Sequence, residues 1–162
     1  MTAAELRRAL DLQPHPEGGA FREVYRSPLT VAHPAVSDDS ARAALTSIYF
    51  LLEITEFPAF HRVASYEGRH LYAGGPLELH LIHPDGREEL QKPGTNFAAG
   101  ERPKAVVPAG VWQAARPAPG VAWALCGSVV APGFTCGDFE MPTRAELLSQ
   151  FPHADPRIPG LI

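Results

Sequence analysis

The sequence predicts an all-β fold, a small barrel or sandwich, on three observations. Nine or so short extended segments follow one another between about residues 20 and 132. Turn signals separate them regularly: Gly74-Gly75-Pro76, Pro84-Asp85-Gly86, Pro93-Gly94, Pro108-Ala109-Gly110, Pro119-Gly120 and Pro132-Gly133. From Pro16 to about position 140 no second long helical pattern interrupts the series, which excludes the alternating strand and helix units of a parallel α/β sheet.

The elements follow in order. A short helix over residues 2–11 opens the chain, with Thr2 as cap, Glu5 in the reciprocal capping-box position and Leu6 and Leu10 as its apolar stripe, before Pro14 and Pro16 stop it. Extended segments are expected at 20–26, 43–53, 59–65, 69–74, 77–84, 87–91, 104–108, 111–117 and 121–132. In 77–83, Leu77, Leu79, Leu81 and His83 share one face while Glu78, His80 and Ile82 share the other, the alternation of a sheet that buries one face. Residues 29–41 lack periodicity and read as a solvated connection or a lid. A second helix is expected over 143–150, capped by Thr143 with Glu146 in the box, and the proline-broken tail from His153 is expected along the surface. One domain therefore spans 1–162, with its barrel at about 18–141.

Composition excludes several classes. The apolar fraction is 45%, and runs such as Ile48 to Leu52 are far too short to cross a bilayer as a helix. The amino terminus has no apolar core or cleavage pattern of a secretory signal, so a cytoplasmic protein is expected. A net charge of -4 without any Lys/Arg cluster longer than Arg7-Arg8 argues against nucleic acid as partner. Cys126 and Cys136 lack the spacing of a structural zinc site and read as two buried free thiols.

The densest polar segment is 60–70. His61, Glu67 and His70 are candidates for acid/base chemistry or ligand binding, because an imidazole titrates near neutrality and a carboxylate can fix its tautomer. His61 and Glu67 are an even number of residues apart and share a face in an unbroken strand. His70 does not, so a turn or bulge at Tyr66 to Gly68 must intervene if all three are to meet. Near the amino terminus, Gly18-Gly19 permits close backbone approach. Arg22 and Arg26 are also evenly spaced, so both can point to one side and hold a carboxylate or phosphate. Tyr49, Tyr72 and Trp112 are candidates for an apolar pocket wall.

These residues also carry a resemblance. His61, Glu67 and Gly74 fit the first motif of the cupin pattern, and Pro108-Ala109-Gly110-Val111-Trp112 fits the start of its second. The strings LQPHPEGGAFREVYRS, SIYFLL, FHRV, HLYAGGPLELHLI, VVPAGVWQA and VAPGFTCGDFEM, between positions 12 and 141, resemble the cupin 5 or DUF985 subfamily. The resemblance implies an RmlC-like double-stranded β-helix, or jelly-roll barrel, with short terminal helices. It also implies a small-molecule ligand and a two-fold homodimer whose amino-terminal strands cross to the partner; the apolar segment ALTSIYFLL (44–52) reads as an outer strand with surface to hide. Cupins host isomerases, dioxygenases, lyases and plain binders, so fold alone does not fix activity.

Departures from the cupin metal pattern weigh against a metal. The second histidine position of the first motif is Val63, and the histidine position of the second is Gln113. No cofactor is expected; a divalent ion, if held, would have His61, Glu67, His70 and Gln113 as ligands. The favoured expectation is a metal-independent acid/base isomerase or epimerase acting on a carbohydrate-like polar molecule. It resembles the sugar-nucleotide epimerases of the wider cupin fold, with His61 as base and Arg22 or Arg26 on an anionic group. The alternatives are a non-catalytic binding or sensing protein, in which Gln113 and the same pocket serve only binding, and a divalent-metal dioxygenase or isomerase.

Overall fold

The computed structural model describes residues 1–16, 18–36, 40–56 and 59–154. The expected surface tail from residue 155 onward lies outside them. In chain order the strands are β1 (Gln13–Pro14), β2 (Ala20–Arg26), β3 (Thr30–Val31), β4 (Arg42–Ala43), β5 (Thr46–Glu53), β6 (Arg62–Val63) and β7 (Tyr66–Gly74). They continue as β8 (Leu77–Ile82), β9 (Glu88–Gln91), β10 (Lys104–Val107), β11 (Trp112–Pro117), β12 (Trp123–Ala131) and β13 (Phe139–Glu140). Helices α1 (Ala3–Ala9) and α2 (Arg144–Gln150) flank them. Each helix starts at the expected capping box, Thr2 with Glu5 and Thr143 with Glu146, an arrangement that satisfies orphan amides at both starts.

A six-stranded sheet, ordered β1-β2-β5-β12-β7-β10, and a three-stranded sheet, ordered β11-β8-β9, enclose the core; the pairings within both are antiparallel. Phe50, Leu52, Leu71 and Cys126 from the first sheet pack with Leu79, Leu81 and Ala115 from the second. The outer faces are covered too. Leu6 of α1 packs on Leu51 and Leu125, and Leu147 of α2 packs on Ile82 and Trp112. This double coverage explains why the apolar alternation of β8 breaks at Ile82, which is fully buried although it shares a face with Glu78 and His80.

Several expectations are corrected. Segment 44–52 is not an outer strand: β5 lies between β2 and β12, and α1 covers the face that looked exposed. Segment 29–41 is not wholly irregular, since β3 pairs with β4. Segment 59–65 supplies only β6 and an isolated bridge between His61 and Gln113, whereas β7 begins three residues early, at Tyr66. Cys126 is buried, but Cys136 is exposed. Strand β2 pairs along β5 of the same chain. Among the described residues no helix is long and apolar enough to span a membrane.

Candidate functional site

Against the inner face of the six-stranded sheet, under β6, β13 and the segment 134–136, lies a cavity of about 440 Å³, within the range of small-molecule sites. Its walls are mostly aromatic and aliphatic: Phe21, Phe50, Phe134 and Phe139 with Ile48 and Val130. Its polar groups include His15, His61, Glu23, Arg26, Thr46 and Thr135, together with the set formed by Glu67, Arg69 and Ser128.

The deep polar set is built by strand parity. In β7, Glu67, Arg69 and Leu71 alternate inward, so carboxylate and guanidinium are neighbours on one face. Arg69 Nη2 lies 3.2 Å from Glu67 Oε1. Gln113, fully buried on β11 of the other sheet, donates through Nε2 to Glu67 Oε2 at 2.6 Å and accepts from Arg69 Nε at 3.2 Å. Ser128 on β12 donates its hydroxyl to Glu67 Oε1. Two side-chain donors, Gln113 and Ser128, and the Arg69 guanidinium surround the Glu67 carboxyl, which makes it an anchor of the cavity floor.

His61 is 98% buried, its backbone exchanges hydrogen bonds with Gln113, and its ring lies 5.4 Å from that of Phe139. Its Nδ1 is 3.0 Å from the Ala59 carbonyl. A carbonyl only accepts, so Nδ1 carries the proton and in the neutral ring Nε2 is the basic nitrogen.

At the mouth, Arg26 forms a bidentate pair with Glu23, at 3.0 and 2.7 Å, and donates to the Phe134 carbonyl at 3.2 Å. The burial of Asp138 behind this segment is offset by Arg42, whose Nε and Nη2 donate to its two oxygens at 2.7 and 2.8 Å. That pairing holds the Asp138 carboxyl below its ordinary value of 3.8. Close by, His33 Nδ1 accepts from the Ala35 amide, so Nε2 donates to Ser65, at 2.9 Å.

The structure brings His61, Glu67, Gln113 and Arg26 to the cavity region and separates the other candidates from it. His70 is on the opposite face of β7 from Glu67, because no turn or bulge interrupts the strand between them. Arg22 does not share a side with Arg26. A β-bulge leaves Val24 unpaired between Glu23 and Tyr25, which reverses parity, so Phe21, Glu23 and Arg26 face the cavity. Arg22 donates outside to the Leu10 carbonyl. Tyr49 and Tyr72 meet edge to face away from the cavity, and Trp112 packs with α2 beneath the Arg62 guanidinium, at 4.5 Å. Sequence reasoning passed over Arg69, although its even spacing from Glu67 was a usable signal. Ser128, His15 and Phe139 come from distant segments and gave none.

A metal of the cupin kind does not fit these residues. Val63 has no donor atom, the Gln113 amide is engaged by Glu67 and Arg69, and the Arg69 guanidinium already sits against the Glu67 oxygens. Among the described residues no three His, Cys, Asp or Glu side chains gather as a ligand set.

Two facing antiparallel sheets with a cavity against the inner face of the larger one define a jelly-roll barrel of the cupin class. The chain belongs to the Cupin superfamily (DUF985) family, whose model matches residues 4–142. The uncharacterized protein YML079W of Saccharomyces cerevisiae is 33% identical over 137 residues, a stretch covering 78% of this chain and 66% of the yeast protein. A hypothetical protein from Leishmania major superposes with a TM-score of 0.89 at 32% identity, over 98% of this chain and 97% of that one. Protein SO0799 from Shewanella oneidensis does so with 0.88 at 34% identity, over 99% and 97%.

Proposed function

We propose that this cupin binds a small organic molecule in this cavity and moves a proton on it without a metal, His61 Nε2 being the proton-transferring atom. The observation that carries this reading is the hydrogen bond from His61 Nδ1 to the Ala59 carbonyl, in a ring that also lines the cavity. A backbone acceptor on one imidazole nitrogen makes the other the base, and a dry aromatic setting strengthens its interactions with a bound ligand. Glu67, Arg69, Gln113 and Ser128 form a rigid polar floor, while Phe21, Phe50 and Phe139 enclose the ligand's apolar faces. In this assignment His70 and Arg22 have no part.

Native mass spectrometry of freshly purified protein identifies any retained organic ligand. That ligand, incubated in D2O with the protein, should take up solvent deuterium at one carbon, and His61→Gln should abolish uptake while the ligand remains bound. Retention without deuterium uptake by the unmodified protein would overturn the catalytic reading and leave a binding or sensing protein.

A further inference from the structure

The charges that line the cavity are matched among themselves. Two carboxylates, Glu23 and Glu67, and two guanidiniums, Arg26 and Arg69, face it. Each carboxylate is within ion-pair distance of one guanidinium: Glu67 of Arg69 at 3.2 Å in the interior, Glu23 of Arg26 at 2.7 Å at the mouth. The inner pair is almost wholly out of water, with side-chain exposures of 7% for Glu67 and 2% for Arg69. Gln113 and Ser128 give the inner carboxylate further donors.

We infer, building on the proposed ligand pocket, that its ligand is an uncharged ring compound, one flat or apolar face on the phenylalanines and a single carbonyl or hydroxyl group toward the polar floor. A carboxylate or phosphate entering the cavity meets Glu67 and Glu23 with their counter-charges already committed. It must break a pair or sit near like charge in a setting of low polarity. A cation meets Arg69 and Arg26 in the same way. A neutral ring leaves both pairs closed and gains aromatic contact from Phe21, Phe50 and Phe139. This differs from the sequence expectation that an arginine holds an anionic group.

Benzamide, benzoate and benzamidine share one shape and carry charges of zero, minus one and plus one. Titrated into the full chain at low salt, they are read by the methyl resonances of Ile48, Val63 and Val130, which line the cavity. Benzamide should bind about tenfold more tightly than either charged probe, the penalty of an unmatched buried charge. Glu23→Gln, which leaves Arg26 unmatched at a partly exposed position, should move the preference toward benzoate. Arg26→Gln should move it toward benzamidine. Benzoate or benzamidine binding as tightly as benzamide in the unmodified protein would overturn the neutral-ligand assignment while leaving the deuterium test of His61 untouched. Absence of methyl shifts with all three would overturn the ring-compound assignment.

Discussion

Gln113 and Glu67 join the two sheets through one hydrogen bond of 2.6 Å, Gln113 reaching from β11 of the three-stranded sheet and Glu67 from β7 of the six-stranded one. Arg69 closes the triangle, touching both. Glu67→Ala should therefore destabilise the fold by about 3–5 kcal/mol, because it leaves a buried guanidinium without its counter-charge. Glu67→Gln should cost less, since an amide still accepts from Ser128 or Gln113. Urea unfolding of both variants checks this, and equal stability of Glu67→Ala and the unmodified protein would contradict the cluster.

Metal content gives an independent test of the same triangle. Protein purified without chelator should carry far less than one equivalent of iron, manganese, nickel or zinc by elemental analysis. Near-stoichiometric metal that disappears in His61→Ala would overturn the reading of Arg69 as the resident cation of this site.

The buried pair of Arg42 and Asp138 predicts an acid-sensitive contribution to stability. The folded-state value of Asp138 lies below its ordinary 3.8, so its contribution is complete above the unfolded value and is lost as pH falls through the lowered folded one. Asp138→Asn should cost about 3 kcal/mol or more at neutral pH, by leaving Arg42 unmatched. The gap between variant and unmodified protein should hold down to about pH 5 and shrink only below the ordinary aspartate range. Thermal unfolding at a series of pH values reads it; a gap that narrows near neutrality would refute the assignment.

Gly19 should resist substitution. Its φ is +78°, and a Cβ there would lie 2.8 Å from the Leu51 carbonyl and 2.9 Å from a Leu52 methyl. Gly19→Ala should cost about 2 kcal/mol or more from left-handed strain and the forced shift of β5 or β2. The same shift would displace His15, whose amide donates to the Gly19 carbonyl and whose ring meets Phe21 at 4.7 Å. Loss of stability together with weaker benzamide binding is the expected pair of readouts.

Much of the fold was legible because local chemistry marked it. The range of β2 follows from its sequence run, and both helix starts follow from their Thr and Glu pairs. Of the candidate cavity only local parts were legible: His61 and Glu67 were singled out from the dense polar segment 60–70 and Gln113 from the cupin resemblance, and all three lie at or against the cavity although no unbroken strand joins the first two. Trp112 and Tyr49 lie away from the cavity because both sheets are also covered on their outer faces, and Tyr72 lies on an exposed outer face, so an aromatic residue in a strand does not announce the cavity side. His70 was misplaced because the turn that would have redirected it does not exist. Ser128 and Phe139 approach the site only through long-range pairing, β12 with β7 and β13 with β6, which no short motif encodes.

The unpaired Val24 sets, in effect, the reading frame of β2. Upstream of it odd positions look inward, and downstream Arg26 does. Were Val24 to take the place opposite Ser47, Tyr25 would look inward and Arg26 would turn away from the mouth with no residue changed, whereas deleting Val24 would heal the bulge and leave Arg26 opposite Thr46. In such a strand a shift of register and a substitution are different kinds of edit. Diversification of ligand preference among chains of this shape can proceed by shifting the frame of a strand as readily as by changing its letters.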